Sequence, residues 1–249
     1  MRPSSIRTAL ILFANITFKR KLSSVESDTL HTFTYNSNFH RPLFLMSEQE
    51  GVIQFNLSHQ DSAVVNAPEI DALIVWHQRM HALALIGQDP LRYEGYAYGN
   101  MSHRLNQNEF IISGTQTGGI SHLSNEHYAH VIHCDINNNT VQSRGPIKPS
   151  SECMSHAAIY AAKPDIMAVI HIHNPEIWQQ HQRLQLATTA ADIDYGTPEM
   201  AIAIQQCIQY SHHCIAMLGH LDGVICCAND LESVGQGLIQ LHQQANTLI

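Results

Sequence analysis

Two histidines separated by one residue, His171 and His173, are the residues whose types and spacing most directly indicate chemistry in this chain. They lie in an apolar, β-branched run over residues 168–173, which predicts a buried strand. Side chains alternate between the two faces of a strand, so both imidazoles point to the same side. Buried ring nitrogens need partners, and a divalent ion, most often zinc, supplies one to neutral imidazole. The alternative interpretation is a pair of hydrogen-bonded core histidines.

A third imidazole for such a site is His220, which lies between two strand-like runs at 214–218 and 223–227. Three protein ligands and one open position are typical of catalytic zinc sites. Manganese, cobalt or iron could also occupy three imidazoles. His212 and His213, in a predicted loop, are rival donors.

Glu152 follows Ser150 and Ser151 at the predicted start of a helix. A carboxylate in a first turn favours the helix dipole, which is the structural interpretation. The functional interpretation is a general acid/base beside the metal. His156 follows four residues later on the same helical face, so it could approach the same site.

Two loops of small residues, 99–102 and 113–119, are candidate anion sites at strand ends. Glycines let backbone N–H groups approach an anion closely, and hydroxyls add donors. The helix start at Ser150 and Ser151 is a third candidate. Neither loop matches a Walker or dinucleotide fingerprint, so turn-forming glycines are the alternative interpretation.

The elements that must position these residues alternate loosely between helices and strands, which predicts a single α/β domain over residues 46–249. The hydrophobic spacing, caps and turn residues predict helices over 68–86, 152–162, 175–181, 197–210 and 230–244. Strand-like runs cover 95–101, 110–113, 130–135, 140–142, 168–173, 214–218 and 223–227. Residues 1–45 show no such periodicity and are predicted to be a disordered extension.

Composition excludes several classes of protein. The chain has 249 residues and a formal charge of −8; residues 46–249 hold seven basic and nineteen acidic residues, a charge of −12, so no nucleic-acid partner is expected. A run of 18 apolar residues is lacking, so no membrane partner is expected either. The six cysteines form no C-x-x-C pair, which predicts reduced thiols without a disulfide framework and a cytoplasmic location.

The order of these motifs resembles the class II aldolase/adducin family, in particular its L-fuculose-phosphate aldolase and L-ribulose-5-phosphate 4-epimerase branch. The resemblance runs from about residue 68 to 245, and its specific block is residues 146–175, with Pro-Ser-Ser-Glu152, His156-Ala-Ala-Ile-Tyr160 and His171-x-His173. Gly99-Asn100-x-Ser and a Thr-Gly loop precede this block, and His220 follows it.

This resemblance implies a three-layer α/β/α fold with a mainly antiparallel sheet, and a homotetramer with active sites at subunit interfaces. It implies that His171, His173 and His220 bind zinc and that Glu152 is the acid/base. It also implies a phosphate cradle, by which we mean Gly99, Asn100, Thr117, Gly118, Ser150 and Ser151. The implied activity is a lyase that cleaves or forms a C–C bond in a small hydroxy-ketone or sugar, phosphorylated as in the family, through a metal-stabilised enediolate.

The chain also departs from the family pattern. The loop 113–119 is longer than usual, so Ser113-Gly114 competes with Thr117-Gly118 for the cradle, and His220 precedes Leu-Asp-Gly where many members have Asn-His-Gly. Asp192 lies in a segment resembling the one that holds the catalytic aspartate of the epimerases, so it is a candidate second acid/base. Epimerases have Asp at the position of Glu152 and a tyrosine near the C-terminus, whereas the last tyrosine here is Tyr210. A sugar-phosphate 4-epimerase, a dehydratase and a non-catalytic adducin-like module remain the alternatives.

Overall fold

The computed structural model describes residues 51–63, 66–209 and 213–248, and all of them belong to one compact unit. The prediction for residues 1–45 therefore lies outside the described residues. Helices in the described part are α1 Glu69–Ala82, α2 Cys153–Ala162, α3 Pro175–Gln179, α4 Pro198–Gln209 and α5 Leu231–Thr247. Strands are β1 Asn56–Asp61, β2 Gly87–Gln88, β3 Ala97–Tyr98, β4 Asn100–Arg104, β5 Phe110–Ser113, β6 Tyr128–Asp135, β7 Thr140–Gly145, β8 Ala168–His173, β9 Ala187–Thr188, β10 Cys214–Ala216 and β11 Gly223–Ala228.

Nine of these strands form one sheet in the order β1-β7-β6-β5-β4-β8-β11-β10-β9, while β2 and β3 pair separately. The seven strands from β7 to β10 in this order pair antiparallel. Only the edge strands differ, since β1 pairs parallel to β7 and β9 pairs parallel to β10. The predicted α/β class with a mainly antiparallel sheet is confirmed.

Helices cover both faces of this sheet, which gives three layers. Side chains of α2 and α4 pack with one set of strand residues, including Ile112, Val169 and Ile225. Side chains of α1, α3 and α5 pack with the alternate set on the other face, including Ile170 and Val224. Every residue of β8 is buried, as expected for a strand covered on both sides.

The helix predicted over residues 68–86 ends earlier, at Ala82. The amide of Leu83 already bonds to the Met80 carbonyl oxygen three residues back, and Ala84 adopts a φ of 54°. A left-handed residue ends an α-helix, so the apolar residues that follow are buried in a turn rather than in the helix.

The prediction that all cysteines are reduced is wrong, because Cys214 and Cys226 form a disulfide between β10 and β11. These residues are directly opposed in the antiparallel register, with their Cα atoms 4.1 Å apart. Such a pairing depends on strand register, which the spacing of the cysteines does not reveal.

Arg104, at the end of β4 far from the histidines, is a buried cation that joins three segments. Its guanidinium donates to the carbonyl oxygens of Tyr160 and Lys163 at the end of α2, and of Ile166 just before β8. A fourth bond reaches Gln107 in the turn between β4 and β5. Among the described helices, none is both long and apolar enough to cross a membrane.

Candidate metal centre

His171, His173 and His220 converge on one point inside the protein. All three are buried, and one ring nitrogen from each lies within 4.8 Å of the others. The first two come from β8, where alternation places them on the face that α2 and α4 cover. Their Nε2 atoms are 3.2 Å apart. The predicted convergence of three imidazoles that are remote in the sequence is therefore present.

Backbone contacts prepare these rings as ligands. Nδ1 of His171 lies 3.2 Å from the carbonyl oxygen of Val224, which can only accept, so Nδ1 holds the proton and Nε2 presents a lone pair. Burial, followed by repulsion from His220, lowers the pKa of both His171 and His173 well below the usual value. Neutral imidazole is the form that binds a metal ion, so this donor set fits a divalent cation.

His220 is held by a tight turn between β10 and β11. Its amide donates to the Met217 carbonyl oxygen, and the Gly223 amide donates back to the carbonyl oxygen of His220, both at 2.9 Å. Gly219 must lack a side chain, since a Cβ there would overlap the Ile193 carbonyl oxygen. The ring of Tyr195 stacks on that of His220 with centroids 4.6 Å apart. The turn and the stacked ring together fix the third imidazole.

Glu152 is buried at the N-terminus of α2, with 1% of its surface exposed. Its Oε2 accepts a hydrogen bond from the Ser155 hydroxyl at 2.8 Å, and its backbone N–H donates to Oγ of Ser150 at 3.2 Å. The amide of Ser150 in turn donates to the carbonyl oxygen of Ser113. These bonds attach the start of α2 to the end of β5, which is the same end of the sheet as the histidines.

The residues predicted as the phosphate cradle also lie at this end of the sheet. Asn100 pairs with His171, and the neighbouring Gly99 has a φ of 77° with the His171 carbonyl oxygen close to where a Cβ would be. Gly118 faces the carbonyl oxygen of Tyr98, with no room for a side chain. Thr117 donates to the Gly114 carbonyl oxygen at 2.7 Å. Five of the six cradle residues are buried, namely Asn100, Thr117, Gly118, Ser150 and Ser151.

A buried polar chain lies on the same face, behind His171. Nδ1 of His156 is 2.7 Å from Oγ of Ser102, which is 2.7 Å from the Tyr160 hydroxyl. Burial lowers the pKa of His156 to about 3, so its ring is neutral. His156 is not part of the three-histidine group, and its role is to join α2 to β4.

Sequence reasoning missed the aromatic wall beside His173. The rings of Tyr93 and Tyr98 lie 4.7 and 5.5 Å from the His173 ring, centroid to centroid. Arg92 and Asp222 bond to the Tyr93 hydroxyl. The sequence pointed to Asp222 only through the unusual Leu-Asp-Gly that follows His220. No sequence feature pointed to Arg92, Tyr93 or Tyr98.

The other candidates are not part of the three-histidine group. Asp192 and His213 are exposed, and Asp192 stands in the segment that leads to Tyr195. His212 and Tyr210 lie outside the described residues.

Comparisons with known proteins agree with this architecture. The family described as "Class II Aldolase and Adducin N-terminal domain" matches residues 89–249. An L-fuculose 1-phosphate aldolase structure is similar at 19% identity and a TM-score of 0.55, covering 74% of this chain and 86% of that one. The structure of the L-fuculose-1-phosphate aldolase of Thermus thermophilus is similar at 17% identity and a TM-score of 0.55. The match covers 72% of this chain and 91% of that one.

The YgbL protein of Escherichia coli gives 14% identity and a TM-score of 0.54, covering 71% of this chain and 86% of that one. None of the curated proteins matches this chain. At these identities the solved structures show a shared fold alone, whereas the family match covers well over half of the sequence. The chain belongs to the class II aldolase and adducin family.

Proposed function

We propose that this protein is a zinc-dependent, aldolase-like lyase that acts on a small, phosphorylated hydroxy-ketone or sugar. The observation that supports this most is the buried group of His171, His173 and His220. A scaffold gains nothing from three buried neutral imidazoles turned toward one another, because their desolvation is costly without a ligand. A divalent ion offsets that cost and leaves a position open for substrate oxygens.

In this proposal His171, His173 and His220 hold the ion. When bound, the ion acts as a Lewis acid, which stabilises the negative charge that develops when a C–C bond breaks next to a carbonyl. The stacked Tyr195 and the hydrogen bond from His171 to Val224 keep the donors in place. Burial of all three rings excludes water, which strengthens electrostatic interactions in the site.

Glu152 moves the proton to or from the carbanion carbon. Its burial and the hydroxyl donor at Oε2 support this role, because they hold the carboxylate in one orientation at the end of the sheet where the histidines lie. The phosphate cradle binds the anionic end of the substrate through backbone N–H groups and the hydroxyls of Ser150 and Ser151, while the Thr117 hydroxyl is used by the Gly114 carbonyl oxygen. The homotetramer, with active sites at subunit interfaces, and the cytoplasmic location belong to the same proposal.

Metal analysis of the His171→Ala variant tests the metal site. We expect the unaltered chain to retain about one zinc ion per subunit after gel filtration and the variant to lose most of it, since one of three ligands is gone. His213→Ala is the matched control, because His213 is exposed and should leave the metal content unchanged. Retention of zinc by His171→Ala would contradict the proposed ligand set.

Incubation of the zinc-loaded protein with a panel of hydroxy-ketone phosphates separates the enzymatic alternatives. A lyase releases a two- or three-carbon carbonyl product, whereas a 4-epimerase returns an isomer and a dehydratase releases water. An adducin-like module binds no catalytic metal and produces none of these changes. If the protein forms an isomer and no smaller carbonyl product, the activity is that of an epimerase and the proposed lyase activity is wrong.

A further inference from the structure

Arg92 forms a charged cluster with Tyr93 and Asp222 on the outer side of the metal centre, and the proposed reaction does not use it. Nη2 of Arg92 donates to Oδ2 of Asp222 at 3.2 Å and also to the Tyr93 hydroxyl. That hydroxyl donates to the same Oδ2 at 2.8 Å. Since Asp222 follows His220 by two residues, the cluster ties the cation to the turn that holds the third imidazole.

The guanidinium lies one aromatic ring away from a metal ligand. Cζ of Arg92 is 4.8 Å from the ring centroid of Tyr93 and 5.7 Å from that of Tyr98. Both tyrosines pack against the ring of His173. Arg92 therefore lies on the side of the two tyrosine rings that are packed against His173.

The guanidinium of Arg92 has N–H donors that no described residue uses. All of its hydrogen bonds to described residues go through Nη2, so Nε and Nη1 have no protein acceptor there. The side chain is 32% exposed, whereas that of Asp222 is 10% exposed. Arginine presents five N–H donors in a planar fork that matches a carboxylate or phosphate. Three of those five donors remain for an incoming anion.

The backbone on both sides of the cluster is strained. Tyr93, Glu94 and Asp222 have φ values of 50°, 55° and 61°, in the left-handed region that non-glycine residues rarely adopt. Such residues persist where the surrounding structure enforces them, often at functional sites. A surface ion pair can form without such strain, so the strain supports a role in positioning the guanidinium.

We propose that Arg92 is a specificity-determining residue, which binds an anionic group of the substrate beside the metal-binding oxygens, and that Tyr93 and Asp222 are positioning residues for it. The shared chemistry of the ligand is an oxyanion, either a carboxylate or a phosphate. This inference rests on the proposed function, because it places the anion next to a metal held by the three histidines. The substrate would then carry an anionic group near His173, besides any anionic group that the phosphate cradle binds.

Three hydroxamates with the same metal-binding group test this proposal by isothermal titration of the zinc-loaded full chain. Glycolohydroxamate is neutral, malonomonohydroxamate adds a carboxylate, and phosphoglycolohydroxamate adds a phosphate. A charge-assisted pair is worth a factor of about 10 to 100 in affinity. We therefore expect Arg92→Gln to weaken one charged probe by about that factor and to leave glycolohydroxamate and zinc content unchanged. Arg92→Lys, which keeps the charge without the fork, should recover part of the loss.

Arg79→Gln is the matched control, because Arg79 also lies over an aromatic ring, that of Trp76, but is exposed on α1. A loss confined to the carboxylated probe identifies a carboxylate at Arg92, and a loss confined to the phosphorylated probe identifies a phosphate. Equal loss of all three probes, or no loss, overturns the proposal for Arg92. If the unaltered, zinc-treated chain binds none of the probes, the proposed metal site itself is wrong.

Discussion

Glu152 is the residue on which the proposed chemistry depends most after the histidines. Its carboxylate is buried and accepts a hydrogen bond from Ser155. We expect Glu152→Gln to keep its zinc but to slow turnover by about 10²–10⁴-fold, since an amide fills the same space and cannot transfer the proton. Steady-state kinetics and metal analysis measure the two quantities. Unchanged turnover in this variant would remove Glu152 from the mechanism.

His77, in α1, is a buried titratable residue away from the metal centre. Burial, with smaller contributions from His81 and His127, lowers its pKa from 6.5 to about 4. The unfolded chain therefore takes up this proton first as the pH falls, so stability due to the neutral ring is fully present above pH 6.5 and is lost between pH 6.5 and about 4. At about 1.4 kcal/mol per pH unit, this one residue accounts for about 3 kcal/mol.

Urea titrations at several pH values should show this effect. We expect His77→Leu to lose less stability than the unaltered chain between pH 6.5 and 4, by about 3 kcal/mol at the lower end. Both ring nitrogens of His77 lack a hydrogen-bond partner among the described residues, so the change breaks no bond there. Replacement of the exposed His122 by Leu is the control. Parallel profiles for His77→Leu and the unaltered chain would contradict the assignment.

Individual ligands could be predicted from the sequence where local geometry determines them. Alternation along one strand placed His171 and His173 together, and the position of His220 between two strand-like runs made it the candidate third imidazole. Arg92 and Tyr93 could not be predicted, because a loop remote in the sequence brings them to His173 and its path depends on left-handed residues. Asp222 lay within a noted departure from the family pattern, but its partners were not evident from the sequence.

At the scale of elements, α5 and α1 make a close contact through one glycine. A Cβ on Gly235 would overlap the indole ring of Trp76, whereas Gly237, two residues later on the same helix, has open space around it. We expect Gly235→Ala to destabilise the protein by about 1–3 kcal/mol, because overpacking outweighs the gain in helix propensity. Gly237→Ala should stabilise it by up to about 1 kcal/mol. Thermal or urea unfolding measures both, and equal effects would contradict the contact.

Elements with a strong hydrophobic period could be predicted, and weak or edge elements could not. The strand of residues 168–173 agrees with β8 to the residue, and the helix of 152–162 differs from α2 by one. β1 was missed because its sequence, Asn-Leu-Ser-His-Gln-Asp, is mostly polar and its pairing is at the sheet edge. Edge strands bury little apolar surface, so their pattern is faint.

For the whole molecule, the proposed homotetramer is the remaining prediction. Leu91 is 95% exposed in the single chain and adjoins Arg92 at the outer wall of the metal centre. We expect light scattering to give about 112 kDa, four times the chain mass of 27.9 kDa, and Leu91→Glu to lower this mass by placing a charge in the interface. Ile202→Glu, at another exposed apolar residue, on α4, is the control. A monomer at all concentrations would contradict the assembly.

The Arg104 bonds have a consequence for engineering new substrate ranges. The Arg104 guanidinium bonds to the end of α2 and to the segment before β8, at the end of the sheet away from the histidines. The segments 89–98 and 113–119 lie at the opposite end. Because the frame is secured away from those segments, their positions other than Tyr93, Tyr98, Thr117 and Gly118 can be diversified without loosening β8. Libraries built on this scaffold should leave Arg104 and its carbonyl partners untouched and place all variation at the histidine end.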